Sequence, residues 1–509
     1  MTTTLLLIAA LWAGSSGEVE ADDLAPLLDR GHESLFGTGR DGPARPTLQL
    51  SGGTTRHGTR ADFRWTFDPG GRFLRELRGQ VLEREVFDGV HAWREEGRGP
   101  SWRLALLERE RLLAESWVIA GLWCLEDGPF EVVRAAQGPA LELRLKDGLW
   151  RGTLELDADT GLPSQLTVAE DFGGDRWSFE DWGADPPRLP GRLVWTPAQG
   201  AERTFEVRDA RVWERRPPDY ARPRRSRGDV HFSPDTPAEL DVRRVESGHL
   251  FVRPRVNGED LGWFLFDSGL GGSIITAAAA DRLELPSWGE TFVGGFGGPP
   301  APAPFRQGLA LQLGPLLLEY PTFIEQPDMG KADAMLEGEK CAGALGWDVF
   351  LRAVVEVDPT AGSVRLHDPA RFDDAGVSWQ EVALHWQVPY LPARFEGERS
   401  GWFGLDTGAG GLTVLFHHQA ALRLGLLDGE VEALQESRGA RGSFRRGERE
   451  LAWFEVGGRR HAPARVHLSL AEDGEQDPYA DGFLGSGFFD GQVFVFDHQG
   501  SRVGLRPRD

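Results

Sequence analysis

Residues 262–272 read GWFLFDSGLGG and residues 401–411 read GWFGLDTGAGG. Each stretch ends an apolar run on an aspartate, Asp267 or Asp406, and follows it at once with a hydroxyl residue and a glycine. A carboxylate at the end of such a run is costly unless it is paired, hydrogen-bonded or used. The surroundings repeat as well. FVRPRVNGEDLGWFLFDSGLGG (251–272) aligns without gaps on YLPARFEGERSGWFGLDTGAGG (390–411), keeping Arg255/Arg394, Gly258/Gly397, Glu259/Glu398, Trp263/Trp402 and Phe264/Phe403 at a spacing of 139 residues. Further on, GALGWDVFLRAVVEVD (343–358) aligns with GFLGSGFFDGQVFVFD (482–497), again 139 residues apart. Chance motifs have no reason to keep a common spacing, so the chain holds two copies of one domain, expected over 241–370 and 380–509 with a join at 371–379. Each copy runs hairpin, apolar strand, aspartate loop, helix-like segment, Gly-rich hairpin, strands, short helix and closing hairpin.

These residues resemble the retropepsin and pepsin aspartic peptidases. The match in each copy is an apolar strand ending in Asp267-Ser268-Gly269 or Asp406-Thr407-Gly408. A second signature, Ala344-Leu345-Gly346 or Phe483-Leu484-Gly485, begins 77 residues after the aspartate. The resemblance implies two tandem retropepsin-like β-barrel lobes forming a pepsin-like bilobal unit, with the two loops face to face. It implies an aspartic endopeptidase that acts on a peptide or protein substrate and needs no cofactor and no metal. Asp267 and Asp406 would be the catalytic pair, since two adjacent carboxyls cannot both ionise easily and so supply one acid and one base. Ser268 and Thr407 would bond across the loops to fix their separation. Gly269 and Gly408 allow the close approach, and Gly346 and Gly485 let the chain pack beneath. Gly294, Gly295 and Phe296 in TFVGGFGG (291–298), and Gly439 and Gly442 in SRGARGSF (437–444), are candidates for covering hairpins. Neither segment carries the flap tyrosine of pepsins, and Leu270 stands where the family has a small residue.

The rest of the chain sets this unit in context. At 509 residues, about three domains are expected. Sixty-six glycines and 33 prolines between short apolar runs favour a mostly β architecture. A net charge of −23 argues against nucleic acid as a partner. Two cysteines, Cys124 and Cys341, make no disulfide framework and no zinc spacing. The segment 1–21 carries nine apolar residues, Leu5 to Ala13, before small ones. That is too short for a transmembrane segment and suits a signal peptide, although it lacks Lys and Arg, so a secreted or periplasmic location is expected.

Residues 24–214 alternate in strand fashion, as in ADFRWTF (61–67), GRFLREL (71–77) and ALELRLK (140–146). FDGVHAWRE (87–95) and LDADTGLPSQL (156–166) resemble hairpins of the outer-membrane lipoprotein-sorting family. That implies a curved antiparallel β-sheet domain with helices, and a lipid or lipoprotein ligand beside the alternative of a plain structural β-domain. The Asp-Thr-Gly at 159–161 lies among polar residues before a proline and reads as a turn. The stretch 215–240, rich in proline and arginine, reads as an exposed linker.

His417 and His418 are expected to serve surface or packing roles, and Asp358 and Asp497 to cap turns. Two readings stand beside the peptidase: an inactive peptide- or lipid-binding protein on the same scaffold, and an active peptidase whose dyad forms between two chains.

Overall fold

The computed structural model describes residues 24–39, 45–135, 138–198, 201–213, 218–223, 228–295, 300–428, 431–439, 442–471, 477–489 and 491–507. The expected signal segment 1–21 and the flap candidate Phe296 lie outside the described residues. The protein is mostly β, in several largely antiparallel sheets.

The first sheet has thirteen strands and runs in space from Trp102–Arg103 to Phe130–Arg134, with its first and last strands along the chain, Leu48–Arg56 and Arg203–Val212, pairing at its centre. Its alternation is plain in Thr59–Phe67, where Ala61, Phe63, Trp65 and Phe67 are buried and Arg60, Asp62 and Arg64 are exposed. Phe63, Trp65, Trp177 and Phe205 form one aromatic cluster on the inner face, with edge, tilted and stacked contacts. The helices Leu24–Phe36 and Leu106–Ile119 accompany this sheet. The Asp-Thr-Gly at 159–161 is the expected turn: Asp157 Oδ1 accepts the N–H groups of Asp159 and Thr160.

In the duplicated half, Trp263–Phe266 runs parallel to Cys341–Leu345, with Ile274–Thr276 antiparallel on the latter's other side. The second copy repeats this with Arg399–Asp406, Gly482–Gly485 and Val414–Phe416. Phe264 pairs with Gly343 and Phe403 with Gly482, so the 139-residue spacing is also a spacing of hydrogen-bond register. Glycine is required there, because a Cβ at either position would drive into the carbonyl of Ile274 or Leu415. The copies diverge locally: the helix after the aspartate begins at Ala277 in one and at His418 in the other, two residues beyond the common spacing.

Val354–Asp358 and Gln492–Asp497 join the copies in a five-stranded sheet, pairing Val355 with Phe496, Glu356 with Val495 and Val357 with Phe494. Advancing each residue of the first strand by 139, and returning its partner by the same number, reproduces this register. A pseudo-twofold axis therefore passes by Glu356 and Val495.

Two expectations need correction. No barrel closes among the described strands: the sheets of the two copies are open, with Ser287–Val293 at one edge of the first and Glu432–Gly439 at one edge of the second. Nor are the described parts of 215–240 a free tether. Arg222 stacks on Trp93 at 4.2 Å and donates to the carbonyls of Ser101 and Gln499, Asp229 pairs with Arg352, and Val230–Phe232 adds a strand beside Leu316–Glu319. Guanidinium groups on aromatic faces and carbonyls hold the segment, so proline content misleads here.

Candidate active site

The two aspartate loops meet within one chain, and the hydroxyl residues lock them. The Ser268 N–H donates to Thr407 Oγ1 at 2.9 Å, and the Thr407 N–H donates to Ser268 Oγ at 3.1 Å. Each hydroxyl then passes its proton across: Ser268 Oγ–H to the Leu405 carbonyl at 2.9 Å, Thr407 Oγ1–H to the Phe266 carbonyl at 3.1 Å. Both side chains are buried, so each uses donor and acceptor capacity where water cannot substitute.

This lock brings each carboxyl onto the glycine of the opposite loop. A Cβ on Gly269 would lie 2.7 Å from Asp406 Cγ, and one on Gly408 would overlap the Asp267 carboxylate. Gly346 sits under the first loop, where a Cβ would come 2.5 Å from the Leu270 carbonyl and 3.0 Å from that of Asp267. Gly485 does the same beneath Ala409 and Leu412, a Cβ there lying 2.5 Å from the Leu412 carbonyl. Leu270 is accommodated, with its carbonyl accepting the Trp347 N–H at 3.0 Å.

The two carboxyls lie close enough to act on each other's titration. Burial raises the pKa of Asp267, and N–H groups of Gly269 and Gly408 restrain the rise, the former donating to Oδ1 at 2.8 Å. Asp406 is pushed well above the usual carboxylate range, first by burial and then by the negative Asp267 beside it. The two carboxyls therefore titrate as a pair in which Asp406 is the weaker acid and Asp267 the stronger. Such a pair can take a proton at one oxygen and give one from another.

Sequence reasoning missed what holds the loops from outside. A Cβ on Gly271 would meet the Trp386 carbonyl at 3.2 Å, and one on Gly410 would meet His249 Nδ1 at 2.5 Å. Trp386 and Gln387 turn in the left-handed region at φ 48° and 65°. These turns, Ser247–His249 and Trp386–Gln387, are equivalent at the 139-residue spacing but share no side-chain chemistry, so only the spacing could have flagged them. Of the flap candidates, Gly294 and Gly295 follow the strand Ser287–Val293, and Gly439 pairs with Gly442 at a hairpin end. Asp358 and Asp497 cap their turns, accepting the N–H groups of Ala361 and Gly500 at 2.7 and 2.9 Å. His417 is buried against Phe483, and the His418 Nδ1–H donates to the Ser469 carbonyl.

The N-terminal unit reaches this one at several places, Trp102 against Trp347 and Arg103 paired with Glu381 among them. The Glu290 N–H donates to the His57 carbonyl at 3.1 Å, and the His57 Nδ1–H donates to the Glu290 carbonyl at 3.0 Å, with the ring edge-on to Phe305 at 4.9 Å. The helix Leu106–Ile119 buries three glutamates, two of which reach outward: Glu108 accepts the Trp386 N–H at 2.6 Å and Glu110 accepts the Tyr479 hydroxyl. Glu115 faces Arg75. Both cysteines are buried, and neither forms a disulfide. Among the described residues no helix is long and apolar enough to cross a membrane, and no cluster of potential metal ligands occurs.

No family model matches the chain. No curated protein matches it. Among solved structures, a LolA superfamily protein from Nitrosomonas europaea is similar to it at 12% identity and a TM-score of 0.27, the match covering 38% of this chain and 94% of that one.

Proposed function

We propose that the chain is an aspartic endopeptidase whose duplicated half is a pair of retropepsin-like lobes, with Asp267 and Asp406 as its catalytic pair. The observation that carries the reading is the reciprocal Ser268–Thr407 lock, which sets two half-buried carboxyls each against the glycine of the opposite loop inside one chain. In the reaction, the Asp267 carboxylate takes a proton from water as the water oxygen bonds to the scissile carbonyl carbon, and the Asp406 carboxyl gives its proton to the carbonyl oxygen. The resulting gem-diol loses the amine: the C–N bond breaks, its nitrogen takes the proton held by Asp267, and a hydroxyl proton returns to Asp406. The substrate would lie extended beneath the hairpins that end near Gly294–Gly295 and Gly439–Gly442.

The intrachain contact favours a dyad complete in one copy over one shared between two. For the first sheet we propose a role in presenting substrate rather than in carrying lipid. Arg56, Arg75, Arg94, Glu83 and Glu85 lie on its inner face, and an acyl chain there would have to desolvate them.

The test is cleavage of a mixed peptide library by the purified chain, with Asp267→Asn and Asp406→Asn as controls. Cleavage by the parent and none by either variant is expected. Binding without cleavage would instead favour the inactive scaffold.

A further inference from the structure

Cross-strand pairing sets Arg75, Glu85 and Arg94 side by side on the inner face of the first sheet. Glu85 pairs with both arginines, Arg94 also reaches Glu108 at 2.8 Å, and Arg56 pairs with Glu83. Arg203, on the same face, differs. Among the described residues it has no carboxylate within ion-pairing distance, and its guanidinium lies over Trp195 at 5.2 Å and Phe205 at 5.9 Å. Burial, with Arg56 adding repulsion, lowers its pKa to about 10. Both Arg203 and Trp195 nonetheless remain partly exposed.

The position of this cation links it to the 287–307 hairpin. Phe205, two residues from Arg203, pairs with Thr54, two residues from Arg56, and Arg56 directly precedes His57, the residue bonded to Glu290 in that hairpin. An unpaired arginine on an aromatic platform presents a planar fork of donors suited to a carboxylate. The chain as a whole carries −23, so an acidic peptide is repelled by most of its surface, and a local cation then decides where it docks.

We propose that Arg203, with Trp195 and Phe205 beneath it, anchors a subsite that takes a carboxylate of the peptide lying along the 287–307 hairpin. As a statement about cleavage this rests on the peptidase reading; as a statement about binding it does not. The carboxylate can be an acidic side chain or a free C-terminus, and the experiment separates the two.

Fluorescent peptides of one sequence, carrying internal Glu or Gln and a free or amidated C-terminus, are titrated by polarisation into full-length Asp406→Asn protein, with and without Arg203→Gln. Parallel cleavage assays use the Asp406 parent. The expected result is a preference of about tenfold or more for one carboxylate-bearing form, lost in Arg203→Gln and partly kept in Arg203→Lys, with the neutral amidated peptide bound alike by all. Preference for internal Glu identifies a side chain, and preference for the free acid identifies a C-terminus. Equal binding of all four peptides, or a preference that survives Arg203→Gln, overturns the proposal. Should Arg203→Gln fail to fold, Arg203→Lys and the parent's own selectivity decide, and an unselective parent overturns it. A selective protein that cleaves nothing leaves the subsite standing and removes the peptidase reading.

Discussion

At the scale of single residues, the paired carboxyls set two opposing demands. Folding raises the pKa of both, so the unfolded chain releases protons that the folded chain retains, and the pair costs stability as pH rises from the unfolded value of about 4 through the folded values. Asp406→Asn removes that cost. It is expected to abolish turnover, by about a thousandfold or more, while the melting temperature at pH 7 stays level or rises by a few degrees. A variant that melts well below its parent would contradict the account of Asp406 as a strained, proton-holding acid. Ser268→Ala leaves the Thr407 N–H and the Leu405 carbonyl buried without their partner, and should cost about 1–3 kcal/mol. Ser268→Ala with Thr407→Ala should cost clearly less than the two separately, because each single change already breaks the ring; chemical denaturation of the four proteins measures this.

At the scale of elements, the turn bearing His57 grips the strand Ser287–Val293 through one backbone–backbone bond, one bond from the ring to the backbone and an edge contact with Trp288. The His57 pKa is lowered to about 4, mainly by burial and then by Arg56. Its neutral form is therefore the bound one. The grip is at full strength above the unfolded value of about 6.5 and weakens as pH falls from there through 4. Amide exchange of residues 287–307 should accelerate over that interval, and His57→Ala should give the fast rate already at pH 7. Exchange independent of pH in the parent would show that the hairpin is held by something else. At the parallel ladder, Gly482→Ala should destabilise by about 2 kcal/mol or more, since the added methyl meets the Leu415 backbone, and its equivalent Gly343→Ala should behave alike.

At the scale of the whole molecule, the joining sheet ties the two copies through Val354–Asp358 and Gln492–Asp497, and the first sheet is fastened to both copies. Buried histidines bear on the pH range of such an assembly. Burial lowers His417 to about 4 and His498 to about 3, both enclosed in lobe interiors. The unfolded chain protonates these rings below about 6.5 and the folded chain only below those lower values, so stability falls as pH drops from 6.5 toward 3. Activity is expected to rise as pH falls below neutral, where the dyad keeps its single proton, and then to fail when the fold does. The acid loss of activity should therefore coincide with the loss of ellipticity. An intact fold with no activity at pH 4 would instead assign that limb to Asp267.

The sequence by itself determined the duplication, the mostly β character and which residues could form the lock, because a spacing of 139 residues and an apolar run ending in Asp-Ser/Thr-Gly are local patterns that survive without coordinates. It also marked Asp358 and Asp497 as turn caps, a role decided by neighbours three residues away. Only the tertiary structure decided what crosses between units. The crossing turns at Ser247–His249 and Trp386–Gln387, the outward-reaching glutamates of Leu106–Ile119 and the anchoring of Arg222 all depend on partners more than 100 residues off or on backbone alone. A charged side chain reads the same in sequence whether it meets water or a carbonyl of a distant strand. Burial and pairing, which distinguish those cases by kilocalories, exist only once the chain has folded.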